Sequence, residues 1–341
     1  MKTVVFRGLL AALVVVVCAP PASAQMWELV GTRAQGMGGA FVAVADDATA
    51  TWWNPAGLAT GATLSLVWDM ADNLAPRDPS PQGPASLGET MGFALTTPAL
   101  GLSYYRLRIS EMQPVSSNGA GTSVRQEEGA TGIGLRTLAL NQFGATAGQS
   151  LGGNIVLAST LKLIRAGTAV AVSPVPGAAR DALEQVGELD LPMETQVALD
   201  VGAMVMISPG IRAGVSVKHL REPEFGEGAT AIKLERQARA GVAVMGGGKS
   251  ASLTTAADFD ITTLDTALGE VRHIGAGAEA WLLNRLVGVR GGFSANTAGD
   301  KGTAWSVGAS GGLRGFFVDG FVTLGSDASR DGWGISARVS F

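Results

Sequence analysis

Few residues in this chain have the types and spacings that do chemistry. His219 and His273 are its only histidines, and nothing groups either with metal-ligand spacing. The Ser, His and Asp residues follow no recognisable catalytic order. Asp46-Asp47 could serve as an acid/base or metal pair, but adjacent side chains seldom converge on one point. They suit capping the turn of Ala48 to Trp52, or pairing with basic lumen residues. Gly36, Gly38 and Gly39 invite comparison with a dinucleotide loop. Their spacing is wrong for one, and no strand-loop-helix unit with a downstream ribose-binding acid is apparent. The chain reads as a non-enzyme with no metal and no cofactor.

Those glycines belong to a longer stretch, Gly31 to Ala59, whose core is Asn54-Pro55-Ala56-Gly57. Glycines here allow tight turns and close backbone approach, as a segment packed inside a larger shell needs. Trp52-Trp53 suits either an amphipathic anchor at a membrane interface or the packed centre of such a segment.

Ahead of it lies a leader: Lys2 and Arg7, an apolar run from Gly8 to Ala19, then Ala22-Ser23-Ala24 with a cut expected before Gln25. The run is shorter than the roughly 20 residues a membrane-spanning helix needs. The only cysteine, Cys18, falls inside the leader, so the mature chain offers no thiolate or disulfide. Val17 precedes that cysteine where a lipoprotein signal wants a small residue. A formal charge of −4 gives no basis for nucleic-acid binding.

Glycine is abundant at 48 residues and charge is scarce at 16%, while mean hydropathy is +0.26. Apolar content that is high yet finely dispersed is what a transmembrane β-barrel requires, because lipid-facing and lumen-facing residues alternate. Ile211, Ala213, Val215 and Val217 alternate with Arg212, Gly214, Ser216 and Lys218. Leu253 to Ile261 and Trp333 to Phe341 repeat the period of two. Strands are expected near 63–69, 91–97, 100–109, 136–150, 154–166, 194–207, 211–221, 231–246, 250–262, 271–283, 286–296, 304–312, 315–325 and 332–341. Tight turns such as Gly152-Gly153, Ser208-Pro209-Gly210 and Asn284-Arg285 alternate with longer loops. Short turns on one side and long loops on the other mark an outer-membrane barrel with periplasmic turns. In the longest loop, 167–193, residues Ala178 to Val186 read as a short helix: a lid, a partner-docking element or simply an ordered loop.

The stretch Gly31 to Ala59 resembles the N-terminal hatch of FadL-type hydrophobic-compound transporters and their PorV-type and TraF-like relatives, whose signature is the Asn-Pro-Ala segment. Similarity continues through 198–225, 234–244 and 275–293, so it touches most of the mature chain. The resemblance implies an all-β fold: a transmembrane antiparallel barrel of about 14 strands over 62–341, with a hatch or plug at 25–61 inside it, behind a signal peptide at 1–24. It implies that Asn54, Pro55, Ala56 and Gly57 form a gate and that Gly36, Gly38 and Gly39 fill the lumen. Terminal Phe341 resembles the signal read by the outer-membrane assembly machinery.

Passive transport of a hydrophobic small molecule, of the fatty acid or hydrocarbon class, is the function so implied. Its setting would be the bacterial outer membrane, with membrane lipid and a hydrophobic ligand as partners. The alternative is a scaffold or shuttle with a secretion-system or conjugation partner. Inward-facing Arg212, Lys218, Arg239, Asp258, Asp260, Glu279, Arg290 and Arg338 weigh against a continuous greasy channel.

Overall fold

Long segments that alternate apolar and polar residues cannot bury both faces in one small core. Closing them on themselves satisfies every backbone N–H and C=O without an edge. The computed structural model describes residues 30–73, 85–114, 133–173, 183–185, 187–189, 191–227, 231–266, 269–299, 301–326 and 330–341. The leader at 1–24 lies outside them.

Strands β1 (Ser65–Asn73), β2 (Ala85–Thr96), β3 (Leu100–Pro114), β4 (Ile133–Leu151), β5 (Ile155–Ser173), β6 (Glu194–Ser208) and β7 (Ile211–Lys218) form the first half of the wall. The second half comprises β10 (Gln237–Gly247), β11 (Ala251–Asp260), β14 (His273–Leu282), β15 (Val287–Asn296), β16 (Thr303–Leu313), β17 (Phe316–Gly325) and β18 (Gly332–Ser340). All fourteen pair antiparallel, and β1 closes on β18 from Ser65↔Ser340 to Asn73↔Gly332. Two hairpins stand in the longer connections: β8 (Glu224–Phe225) with β9 (Ile232–Lys233), and β12 (Leu264–Thr266) with β13 (Gly269–Val271). No helix among the described residues is long and apolar enough to cross a membrane.

The fourteen expected segments each contain one barrel strand, with two differences. The strand expected at 231–246 is divided, because 232–233 turn away to pair with 224–225 and the wall resumes at Gln237. Strands β1 to β5 all run further toward the long-loop side than the alternation suggested. Of the helix expected at 178–186, residues 183–185 are helical; the others lie outside the described residues.

Side-chain direction follows the period of two. Outward positions of β16 and β17 include Val307 and Val318, 64% and 57% exposed, whereas Ser306, Ser310 and Asp319 point inward and are buried. Aromatic pairs stud the outer face: Tyr104 with Phe143 at 4.7 Å and Phe293 with Trp305 at 4.8 Å between ring centroids. An exposed apolar belt of this kind is stable only against lipid. Val307→Arg, near the middle of β16, is expected to destabilise the barrel by about 2–4 kcal/mol. Denaturant titration in phospholipid vesicles checks this; an unchanged midpoint would count against a lipid-facing wall.

Candidate functional site

Residues 30–61 lie inside the barrel and touch the wall on all sides. Their first helix, Thr32–Gly36, has no side-chain cap of its own. Asp69 on β1 supplies one, accepting from Gly31 N at 2.9 Å, Thr32 N at 2.8 Å and Thr32 Oγ1 at 2.5 Å. A carboxylate placed there satisfies orphan N–H groups that the helix cannot. Asp258 on β11 does likewise for the next turn, accepting from Phe41 N and Val42 N, each at 2.7 Å.

Arg33 ties the segment to the wall. Its Nε and Nη2 donate to the two oxygens of Glu279 on β14 at 2.9 and 2.6 Å, while Nη1 reaches Asp46 at 2.8 Å and Asp47 at 2.7 Å. The pairing continues along the wall through Glu279–Arg290 at 3.5 Å, Arg290–Asp319 at 3.0 Å and Asp319–Arg338 at 3.4 Å. Asp46-Asp47 caps the turn as expected, with Asp47 Oδ1 accepting from Thr49 N at 2.9 Å. Their principal partner, however, is an arginine of the plug itself. Elsewhere Arg239 pairs with Asp260 at 2.6 Å and Lys162 with Asp200 at 2.8 Å, while Lys218 Nζ stands over the Trp52 ring at 3.8 Å. Both histidines sit at strand ends: His219 Nδ1 lies 3.3 Å from Lys162 Nζ, and His273 N donates to Asp260.

Backbone meets backbone along one seam. Gly38 and Gly39 take φ of +65° and +74°, a conformation costly for other residues. Gly292 on β15 and Gly277 on β14 face them; a Cβ at Gly292 would stand 2.1 Å from Gly38 N, and one at Gly277 2.3 Å from Met37 O. Gly36 leaves room for the Arg290 side chain, which a Cβ would meet at 2.7 Å.

The Asn54-Pro55-Ala56-Gly57 core is fully buried near the short-turn end. Asn54 Nδ2 donates to Val42 O at 2.9 Å and to Ala203 O of β6 at 3.2 Å, and its Oδ1 accepts from Ala56 N at 3.1 Å. Asn54 fits against Gly202 on β6 and Gly214 on β7, where any side chain would strike it. Pro55 starts a 3-10 turn, and Gly57 is bare where a Cβ would lie 2.1 Å from Ala45 O. Trp52 and Trp53 are buried, which selects the packed centre over the interfacial anchor: Trp52 packs edge-on to Tyr105 at 5.1 Å, and Trp53 Nε1 donates to Val30 O at 3.0 Å. Phe341 is 61% exposed on the outer face; its N–H donates to Leu64 O at 3.0 Å, extending the β1–β18 seam.

The structure also reveals an apolar chamber that alternation did not disclose. On the long-loop side of the plug, β3, β4 and β5 point Leu107, Ile109, Leu138, Leu140 and Ile164 inward. The β8–β9 hairpin folds into this space, burying Phe225, Ile232 and Leu234, and Arg136 Nη2 on β4 donates to Ala231 O at 3.0 Å. The eight lumen charges expected from the sequence lie on β7, β10, β11, β14, β15 and β18, so the apolar cluster occupies the sector with fewest charges, where Lys162, Asp200 and Arg136 are the exceptions. The signal was present in Leu135 to Leu140, where apolar residues occupy both faces. A smaller recess of about 100 Å³, lined by Gln35, Asn73, His273, Asn296 and Arg330, opens on the other side of the same mouth. Gly308 to Gly312 spells G-x-S-x-G, but it lies within β16, and Ser310 bonds to Asp319 and Arg290 with no histidine. Among the described residues no cluster of His, Cys, Asp and Glu could hold a metal ion.

An apolar outer belt, a closed antiparallel wall and a lumen filled by the chain's own N-terminal segment define a plugged membrane-spanning β-barrel. Neither protein-family models nor curated protein sequences yield a match. Solved structures do. The CymD monoaromatic hydrocarbon channel superposes with a TM-score of 0.60 at 14% identity, over 92% of this chain and 97% of that one. A Pseudomonas aeruginosa FadL homologue gives 0.56 at 12% identity, covering 94% and 100%. The P. putida toluene transporter TodX gives 0.55 at 10%, covering 93% and 99%. The chain has the fold of these FadL-type barrels.

Glu279→Gln is expected to leave Arg33 and Arg290 under-paired and to loosen the plug by about 3–5 kcal/mol. Limited proteolysis of residues 30–61 should then become at least tenfold faster than in the wild type, with the barrel still resistant. Equal rates would mean that Arg33 does not hold the segment.

Proposed function

We propose that the protein belongs to the FadL-type family and conducts a hydrophobic small molecule passively across the bacterial outer membrane, without enzymatic chemistry. The observation that carries this reading is the apolar chamber of Leu107, Ile109, Leu138, Leu140 and Ile164, filled by Phe225, Ile232 and Leu234 of a hairpin at the mouth. A ligand that replaces the hairpin's side chains recovers much of the roughly 1.5–3 kcal/mol that each contributes by burial. A fatty-acid tail or a small aromatic hydrocarbon fits that wall; a sugar or an ion does not. The fold shared with hydrocarbon channels supports the same class.

Beneath the chamber the plug closes the way to the periplasm, and Asn54, Pro55, Ala56 and Gly57 form the gate. Asn54 is the natural release point, because one side chain bridges Val42 and the β6 backbone. Gly36, Gly38 and Gly39 let the plug fill the lumen. The charge-rich sector serves as the hinge support rather than as the path. Signal-peptide cleavage before Gln25 and recognition of terminal Phe341 by the assembly machinery complete the biogenesis.

Uptake of a labelled long-chain fatty acid and of labelled toluene by cells expressing the protein tests this. Wild type should exceed the empty vector severalfold, and Leu140→Glu should abolish the excess at equal surface level. No excess for either probe, with a stoichiometric protein partner recovered on mild extraction, would favour the scaffold role. Asn54→Ala should raise passive leak of the same probe through loss of hydrogen bonds worth about 1–3 kcal/mol; unchanged leak would remove Asn54 from the gate. Deleting Phe341 should lower outer-membrane levels, and normal levels would dismiss it as an assembly signal.

A further inference from the structure

The outward face of the wall is almost free of charge. On β14 to β18 the outward positions hold only apolar, small or hydroxyl side chains, from Ile274 through Val289, Val307 and Val318 to Ile335. Among the described outward strand positions, every cation is an arginine, and all three stand on β3 and β5: Arg106, Arg108 and Arg165.

They are placed in register. One cross-strand row runs Phe93↔Tyr104↔Phe143↔Leu163↔Val197 from β2 to β6, aromatic and aliphatic throughout. The next row, two residues nearer the long loops, runs Met91↔Arg106↔Asn141↔Arg165↔Thr195. Neighbouring strands lie about 4.8 Å apart, so Arg106 and Arg165 flank Asn141 at a spacing on the order of 10 Å. Tyr104 OH donates to Asn141 Oδ1 at 3.1 Å, which leaves the Asn141 amide N–H groups as donors. Arg106 and Arg165 are exposed and form no ion pair with a described residue. Arg108 is half-buried one row above, with its Nε enclosed and without a partner.

A roof completes the site. Residues 191–193 of the long loop lie over the outer wall where Gly167 has no side chain; a Cβ there would meet Pro192 O at 2.6 Å. Leu191 is buried against the wall, and a cavity of about 140 Å³ remains between this segment and Arg106, Arg108 and Asn141. Glu89 stands in register opposite Arg108, and with Glu184 and Glu188 it lines the adjoining recess, whereas Arg106 and Asn141 line this one with no acid.

We propose that this patch binds the phosphate of a phosphorylated acyl glycolipid in the outer leaflet of the outer membrane. Guanidinium forks and an amide match phosphate oxygens, and the aromatic row just below presents the surface that acyl chains need. The row lies where an apolar belt gives way to headgroups on the side opposite the short turns. A free anion would gain the arginines but not the apolar row. The proposal rests on the outer-membrane reading above.

The test is native mass spectrometry of the full-length mature protein in mild detergent, titrated with diphosphoryl lipid A, its fully dephosphorylated form, or phosphatidylglycerol. Wild type should retain one diphosphoryl lipid A per barrel in preference to the other two. The Arg106→Gln/Arg165→Gln double variant should bind it about tenfold or more weakly, and Arg106→Lys/Arg165→Lys should stay between the two. Heat-modifiable migration on gels confirms that each variant is a folded barrel. Equal binding of the dephosphorylated lipid, equal binding of phosphatidylglycerol, or an unchanged double variant would each overturn the assignment. Membrane fractionation separately tests the location, so a protein absent from the outer membrane would fail that reading and not be mistaken for loss of the patch.

Discussion

A fourteen-stranded barrel encloses more space than its own inward side chains can fill, and much of this structure follows from that surplus. The chain fills it with residues 30–61, a segment too short to make a core alone. It is held by what the wall offers: Asp69 and Asp258 cap its turns, Glu279 grips Arg33, and glycines on β6, β7, β14 and β15 let its backbone approach. Each carboxylate or guanidinium buried this way is stable only while its partner is present. The segment is therefore fixed both by these specific polar contacts and by its own apolar residues, which join the wall in one hydrophobic cluster.

The lumen divides its labour by sector. Most inward charges lie on the β7 to β18 side, where glycines of β14 and β15 let the segment's backbone approach the wall, and one buried ion pair, Lys162–Asp200, joins β5 to β6. The β3 to β6 side carries leucines and isoleucines inward and closes them with a hairpin. A charged lumen and a hydrophobic cargo are thus compatible, because most of the charge and the apolar cluster occupy different sectors of one barrel. The weight that lumen charge carries against transport, when charges are counted along the sequence, disappears once their positions around the barrel are known.

The outer wall shows the same segregation. Its belt is apolar on most sides, and its outward charges, Asp72, Glu89, Arg106, Arg108 and Arg165, are confined to β1, β2, β3 and β5, beside a loop that lies along the wall. β3 and β5 are among the longest strands, and their outward arginines stand two or more residues beyond the aromatic row, on the long-loop side. A long loop over 167–193 reads from sequence as a candidate lid. Its described part instead lies against the outer wall.

Strand number, alternation and the order of short turns and long loops were legible in the sequence, because the period of two is a local property of an extended chain between lipid and lumen. Composition likewise revealed the glycine-rich segment at Gly31 to Ala59. Local pattern could not tell which wall position each plug residue meets. That Arg33 finds Glu279, or Asn54 finds Gly202 and Gly214, depends on strand register summed around a closed circle. The apolar chamber was hidden for a related reason: where both faces of a strand are apolar, alternation vanishes, and only the closed barrel separates the face turned to lipid from the face turned to the lumen.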